Sequence, residues 1–447
     1  MSESQIVRVA VVQFHVGADI EQNLQTCLDW LDRASECSPD IILLPEFCNH
    51  LSWYDDKQHC FDVSVALDGP FLAAVAAKAR ELGVHVVVNC TVQRDDGSAT
   101  GSSLLYSPRG ELLADNTKQI YIGHENDFLA RATGEGPVVT TALGRLGLYA
   151  CMDGVINETP RCLALNGAQL MLNSLNSFAT DEASLHIPVR AAENKVFVAA
   201  ANKVGPLVPE AMVDAISAAT GIPVEFLNGA GESQVVAPDG TVLARASRDR
   251  EEFVCADIDL QQADDKSRPD GTDVFSSRRP AIYGAISADP CAQCLPAMSG
   301  SAEVTAAVVQ LQVNDLEHAL AAVRAAVAGG AELVVLPPLV GDIADLDAAA
   351  EHGEQVLSAL ARICGEAHVG TAIVRRSAAG DYQYCAVLVS RQGLVHEQAQ
   401  VHASSRYAFS AGAAGFSACD LPLGRVAVLA SDDSIYPETF RLLAMAG

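Results

Sequence analysis

Runs of apolar positions separate the chain into short strands and amphipathic helices. Val7 to Phe14 (VRVAVVQF) and Asp40 to Pro45 (DIILLP) carry β-branched apolar runs, as buried strands do. Between them, Asp19 to Ala34 spaces Leu and Ile at helical intervals with polar residues between. Pro70 to Leu82 is predicted helical, with proline at its start, where a missing N–H costs little. Strands are predicted at His85 to Val92 and Gly101 to Tyr106. Glu111 to Ala114 follows after a turn at Ser107-Pro108-Arg109-Gly110. Leu146 to Cys151 reads as a strand, Glu158 to Asn166 as a helix and Leu170 to Leu172 as a strand. Alternating strands and helices predict an α/β class. The turn at Pro238-Asp239-Gly240 adds antiparallel strands, so mixed sheets are expected.

The pattern then begins again. Ala306-Ala307-Val308-Val309-Gln310 repeats Val9-Ala10-Val11-Val12-Gln13, and Leu333 to Pro337 repeats Ile41 to Pro45. Gly424-Arg425 matches Gly144-Arg145, and Glu438-Thr439-x-Arg441 matches Glu158-Thr159-x-Arg161. An ordered series of this kind predicts an internal duplication whose second copy is incomplete. The expected organisation is a first domain over 1–287, an aperiodic linker over 288–303 and a second domain over 304–447.

Composition narrows the class. Among 447 residues, 49% are apolar and 19% charged, enough for large cores and against disorder. The formal net charge of −27 repels phosphate backbones, so a nucleic-acid partner is not expected. No run of about 18 apolar residues predicts a membrane span. The N-terminus lacks a basic region leading into an apolar stretch, so no secretory signal is expected. The 13 cysteines are scattered through apolar runs, which fits reduced thiols and a cytoplasmic setting. Cys291-Ala-Gln-Cys294 has metal-pair spacing, but no second pair completes a zinc set, and it is read as linker thiols.

The two copies differ where chemistry is concentrated. Glu46 follows the strand IILLP, and its counterpart is Pro338. Lys118 corresponds to Gln400 or Val401, and the second copy has no lysine. Cys151 ends a strand, and its counterpart is Ser431. Packing accounts for the shared strands but not for three reactive groups exchanged as a set. Their chemistry is coherent. Glu46 can take the proton of a thiol that is mostly protonated at neutral pH. Lys118 can stabilise the oxyanion formed when Cys151 attacks a carbonyl, and Glu46 can return the proton to the leaving nitrogen. Asp153 recurs as Asp433 in the copy lacking this set, which points to a structural role.

These residues, with the motifs around them, resemble the nitrilase superfamily of carbon–nitrogen hydrolases. The matching motifs are Leu44-Pro45-Glu46, Lys118, and Cys151-Met152-Asp153 with Glu158 and Arg161. Further along come Arg190-Ala191-Ala192-Glu193-Asn194, Ala201-Asn202, Gly231-x-Ser233 and Arg278-Arg279-Pro280-x-x-Tyr283. The resemblance implies an α-β-β-α sandwich, a Cys-Glu-Lys triad, a thioester intermediate and no metal or organic cofactor. It places Glu125 as a second glutamate that positions the lysine and the substrate. Met152-Asp153 stands where nitrile hydrolases of the family usually have Trp-Glu, so an amidase or N-carbamoyl hydrolase is expected. The resemblance implies a small amide or ureide as substrate. Gly154-Val155 replaces the arginines with which D-amino-acid carbamoylases grip a carboxylate. The segment from Pro206 to Leu227 is an insertion, placed at the substrate entrance or a subunit contact. The second copy is expected to act as a partner subunit would, giving an intramolecular pseudo-dimer, or to leave the chain a homo-oligomer. Acyl transfer from the same thioester and a non-catalytic scaffold are the competing functions.

Overall fold

The computed structural model describes residues 6–288, 303–312, 314–402 and 408–446. The proposed linker and the Cys291/Cys294 pair therefore lie essentially outside the described residues. Two compact units divide the chain, Met1–Lys266 and Ser267–Gly447.

In the first unit the strands are β1 (Ile6–Gln13), β2 (Ile41–Leu43), β3 (His85–Gln93), β4 (Ala99–Tyr106), β5 (Leu112–Thr117), β6 (Val138–Thr140) and β7 (Arg145–Ala150). They continue as β8 (Leu170–Ser174), β9 (Phe197–Ala201), β10 (Val204–Pro206), β11 (Asn228–Ala230), β12 (Gln234–Val236), β13 (Val242–Arg245) and β14 (Glu252–Asp259). One six-stranded sheet has the order β14-β1-β2-β3-β4-β5 and a second has β13-β12-β9-β8-β7-β6.

Strand periodicity explains the layering. Side chains alternate between faces, so Val7, Val9 and Val11 of β1 point one way and Ala10 and Val12 the other. The first set packs with Leu146, Leu148, Leu170, Leu172 and Phe197 of the second sheet. The second set packs with Trp30, Leu31, Leu72 and Val75 of the helices Ile20–Ser35 and Pro70–Leu82. Helices Glu158–Leu165 and Ile187–Asn194 lie against β7 and β9. The layers are thus helix, sheet, sheet, helix. A strand buried on both faces is largely apolar, which is why β1 to β3 read as near-continuous hydrophobic runs, with buried polar residues such as Gln13, Asn89 and Thr91 as the exceptions.

The helix predicted from Pro70 runs Pro70–Leu82, with proline in its first turn and Gly83 closing it at φ +68°. The insertion becomes a stem of β10 paired with β11, carrying the helix Val213–Thr220 between two 3-10 turns.

The second unit holds β15 (Ala306–Val308), β16 (Leu333–Val335), β17 (His368–Arg376), β18 (Tyr382–Ser390) and β19 (Gly393–Ala399) in one sheet in that order. Pairing runs parallel, parallel, antiparallel, antiparallel, as it does from β1 to β5. A hairpin of β20 (Cys419–Leu421) and β21 (Gly424–Val426) follows, then the helix Pro437–Met445. Residues 267–288, which the sequence reading attaches to the first domain, group with this unit. Tertiary pairs hold them there. Arg278 Nε meets Glu438 Oε1 at 2.8 Å, and Tyr283 OH meets His402 Nε2 at 2.7 Å.

Candidate active site

Four strand ends build the site. Ser174 Oγ donates to the Leu44 carbonyl across the two sheets at 2.9 Å, and Glu46 N–H donates to the Leu175 carbonyl at 3.2 Å. These bonds tie the end of β2 to the end of β8. Cys151 N–H is shared between the Ser174 carbonyl and Asn173 Oδ1, each at 3.0 Å. The residue after Glu46 and the residue after β7 both turn through positive φ, Phe47 at +50° and Cys151 at +49°. Such a conformation is strained for a residue with a Cβ and persists where surrounding structure enforces it. It ends β7 abruptly and starts the short helix Met152–Val155.

Lys118 lies one residue beyond β5 and is buried, held by N–H donation to the Gly101 carbonyl at 2.8 Å. Its Nζ is 2.8 Å from Glu46 Oε1 and 3.1 Å from Glu125 Oε2. Glu125 opens the short helix Glu125–Phe128 and is itself buried. The next layer fixes Lys118 from below. Asp153 accepts from Gln119 N–H at 3.1 Å and Ile120 N–H at 2.9 Å. The sequence reading gave Asp153 a structural role, and this is the geometry of one.

Burial sets the electrostatics. It pushes the Glu46 carboxyl up to about 7 against the pull of Lys118, with the Glu125 charge adding to the rise. Burial alone would depress Lys118, but Glu46, Glu125 and Cys151 together hold it well above the ordinary lysine range. Burial also pushes the Cys151 thiol well above its usual value. The Glu46 charge adds to this and Lys118 opposes it. At rest the site therefore carries a protonated thiol beside a carboxyl poised near neutrality. Cys151 N–H is committed to its two acceptors, and the Lys118 ammonium stands close enough for Cys151 to feel its charge.

The four residues singled out from sequence, Glu46, Lys118, Cys151 and Glu125, are thus brought to one place. Sequence reasoning missed others. Lys203, directly after Asn202, is 1% exposed, and its Nζ has no hydrogen-bond partner among the described residues. Burial pulls it down to about 8. Its Nζ lies 5.9 Å from the Phe47 ring, whose centroid is also 5.4 Å from Lys118 Nζ. Glu182, in a π-helical turn Glu182–His186, is buried and pushed up to about 7, chiefly by desolvation. A lysine directly after an apolar strand was the available signal for the first. Nothing in the local pattern marks the second. Asn202 is a brace: its side chain accepts from Ser177 N–H at 2.9 Å and donates to the Gly231 carbonyl at 3.1 Å. Arg161 donates to the Glu193 carbonyl at 3.0 Å, joining two helices. No group of residues fit to hold a metal occurs among the described residues. No described helix is long and apolar enough to cross a membrane.

Residues 8–267 and 305–447 match the family described as Carbon-nitrogen hydrolase. The chain is 25% identical over 281 residues to a nitrilase of Pyrococcus abyssi, covering 62% of this chain and 99% of the relative. It is 28% identical over 302 residues to the human deaminated glutathione amidase, covering 63% and 85%. An amidase of the nitrilase superfamily from Nesterenkonia AN1 has the same fold, with TM-score 0.51 and 24% identity over 63% of this chain and 97% of that one. Together the matched segments span most of the sequence, and the chain belongs to the carbon–nitrogen hydrolase family.

Proposed function

We propose that the first unit hydrolyses the carbon–nitrogen bond of a small amide or N-carbamoyl compound through a thioester on Cys151. The observation that carries this reading is the buried Lys118 ammonium held between Glu46 and Glu125, beside a cysteine on a strained strand end. Glu46 takes the thiol proton as Sγ attacks the carbonyl carbon. Lys118 stabilises the negative charge that builds on the carbonyl oxygen. The carbon–nitrogen bond then breaks, and Glu46 returns the proton to the departing nitrogen. Water attacks the thioester, Glu46 takes one of its protons, and the acid leaves with Cys151 protonated again. Glu125 positions Lys118 and holds its charge. Intact-mass spectrometry after exposure to a panel of amides and ureides tests the reading. An acyl adduct on Cys151, with ammonia released in the absence of any added amine, is expected. Ammonia release only when an amine is supplied would mean acyl transfer, and unchanged behaviour of Cys151→Ala would mean a scaffold.

We further propose that the second unit descends from the same fold with its chemistry removed. Asp433 accepts from Val401 N–H and His402 N–H at 3.0 and 2.8 Å, as Asp153 accepts from Gln119 and Ile120. On this reading Gln400 is the counterpart of Lys118 in sequence. A neutral amide there can neither pair with a base nor supply a full positive charge. Its service as an intramolecular partner is tested by light scattering of the full chain and of a chain lacking this unit.

A further inference from the structure

Resting on the hydrolase reading, we propose that Lys203 anchors an anionic oxygen of the substrate, so that the preferred substrate is a small amide carrying a carboxylate. An amine excluded from water with no acceptor forfeits the hydrogen bonds it would make in solvent. Proteins seldom leave such a group unless something else completes it. Lys203 is in that condition, 1% exposed and unpartnered among the described residues.

Its position is equally informative. It follows Asn202, whose Oδ1 accepts from Lys203 N–H at 2.9 Å, and Gly231 N–H donates to the Lys203 carbonyl at 3.0 Å. The backbone is thus fixed at the end of β9. That end lies beside the ends of β8 and, one strand further, β7, where Cys151 sits. The side chain passes over the Phe47 ring that Lys118 also approaches. Burial, the largest influence, opposes its charged form, while Cys48 first and then Glu46, Glu125 and Cys151 favour it. Glu46 and Glu125 are already engaged by Lys118, at 2.8 and 3.1 Å. Lys203 Nζ has no such partner among the described residues. A neutral acceptor would satisfy its hydrogen bonds but leave its charge unbalanced in a desolvated site. A carboxylate satisfies both.

The probes are succinamate and butyramide, amides of the same carbon chain with and without a carboxylate. The unaltered chain is expected to show a kcat/KM at least about tenfold higher for succinamate, as one charge-assisted hydrogen bond supplies. In Lys203→Met that preference is expected to fall by about 10- to 100-fold. Equal losses on both substrates, as a merely structural lysine would give, overturn the proposal. So does an unaltered chain with no preference. Calorimetric titration of succinate into the full chain carrying Cys151→Ala separates this inference from the function it rests on. Succinate binding that is lost when Lys203→Met is added supports the anchor even if no amide is turned over, in which case the hydrolase reading fails alone. Turnover of butyramide without succinate binding leaves that reading standing and removes the anchor. Absence of both turnover and succinate binding removes both.

Discussion

Lys118 Nζ lies 2.8 Å from Glu46 Oε1 with both side chains excluded from solvent. Such a pair is costly to assemble and costlier to break, because removing one partner strands the other as a buried charge. The pair therefore marks where stability has been exchanged for chemistry. Lys118→Met keeps the shape and removes the charge. Turnover is expected to fall at least about 100-fold, the effect of deleting one oxyanion donor. Steady-state kinetics alongside circular dichroism checks that the loss is chemical and not global unfolding.

In the proposed mechanism Glu46 must be ionised to accept the thiol proton, and burial places its carboxyl at about 7. The acid limb of kcat/KM is therefore expected to have its midpoint near pH 7. Glu125 raises the Glu46 value by like-charge repulsion. Glu125→Gln removes that repulsion, so its acid limb is expected at lower pH even though turnover falls. A limb unmoved in this variant would mean that another group controls it.

The same carboxyl links activity to stability in opposite directions. Glu46 and Glu182 rise from 4.5 to about 7 on folding, and Asp153 from 3.8 to about 6. A carboxyl whose value is raised on folding binds protons more readily in the folded state. Its contribution is present in full below its unfolded value and is lost as pH rises through the folded one. These three contributions fade from about pH 4 to about pH 7. Urea denaturation of the full chain is expected to show the first unit less stable at pH 8 than at pH 5.5, while activity rises over that interval.

Much of this was legible in the sequence, for reasons that differ by element. Helix Pro70–Leu82 reads cleanly because proline and glycine punctuate both ends. Strands β1 to β3 read cleanly because burial on both faces leaves runs such as Val9–Val12, Ile41–Leu43 and Val86–Val88 wholly apolar. Glu46 stood out as a carboxylate directly after such a strand, and Cys151 through its motif. Lys203 did not, because a lysine after a strand ordinarily marks a solvated loop. Its burial is a tertiary effect, with the Phe47 ring 5.9 Å from its Nζ. The grouping of residues 267–288 with the second unit was equally hidden, since it rests on partners such as Glu438 and His402 far along the chain.

Strain at the candidate nucleophile has a measurable consequence. Cys151 holds φ +49° and ψ −110°, a region that glycine adopts freely and residues with a Cβ do not. Cys151→Ala keeps the strain and Cys151→Gly relieves it. The glycine variant is expected to be the more stable of the two by about 1 kcal/mol, net of the extra entropy of its unfolded chain. Thermal denaturation of both variants checks this.

Asp153 and Asp433, which make like hydrogen bonds in the two units, offer a contrast of position with chemistry. Asp153 holds the backbone N–H groups just after Lys118, and Asp433 holds those just after Gln400. Hydrogen bonds to a charged acceptor are worth about 1.5–3 kcal/mol each, so replacing either aspartate by alanine should destabilise its own unit by at least about 2 kcal/mol. Their effects on catalysis should diverge. Asp153→Ala frees the segment that aims Lys118 at Glu46, so kcat is expected to fall about tenfold or more with the protein still folded. Asp433→Ala loosens a segment whose counterpart residue carries no charge, and its buried His402 loses an acceptor at 2.8 Å. It should therefore lower the melting temperature while leaving the acid limb of the pH–rate profile in place. A shift of that limb in Asp433→Ala would show that the second unit shapes the chemistry of the first.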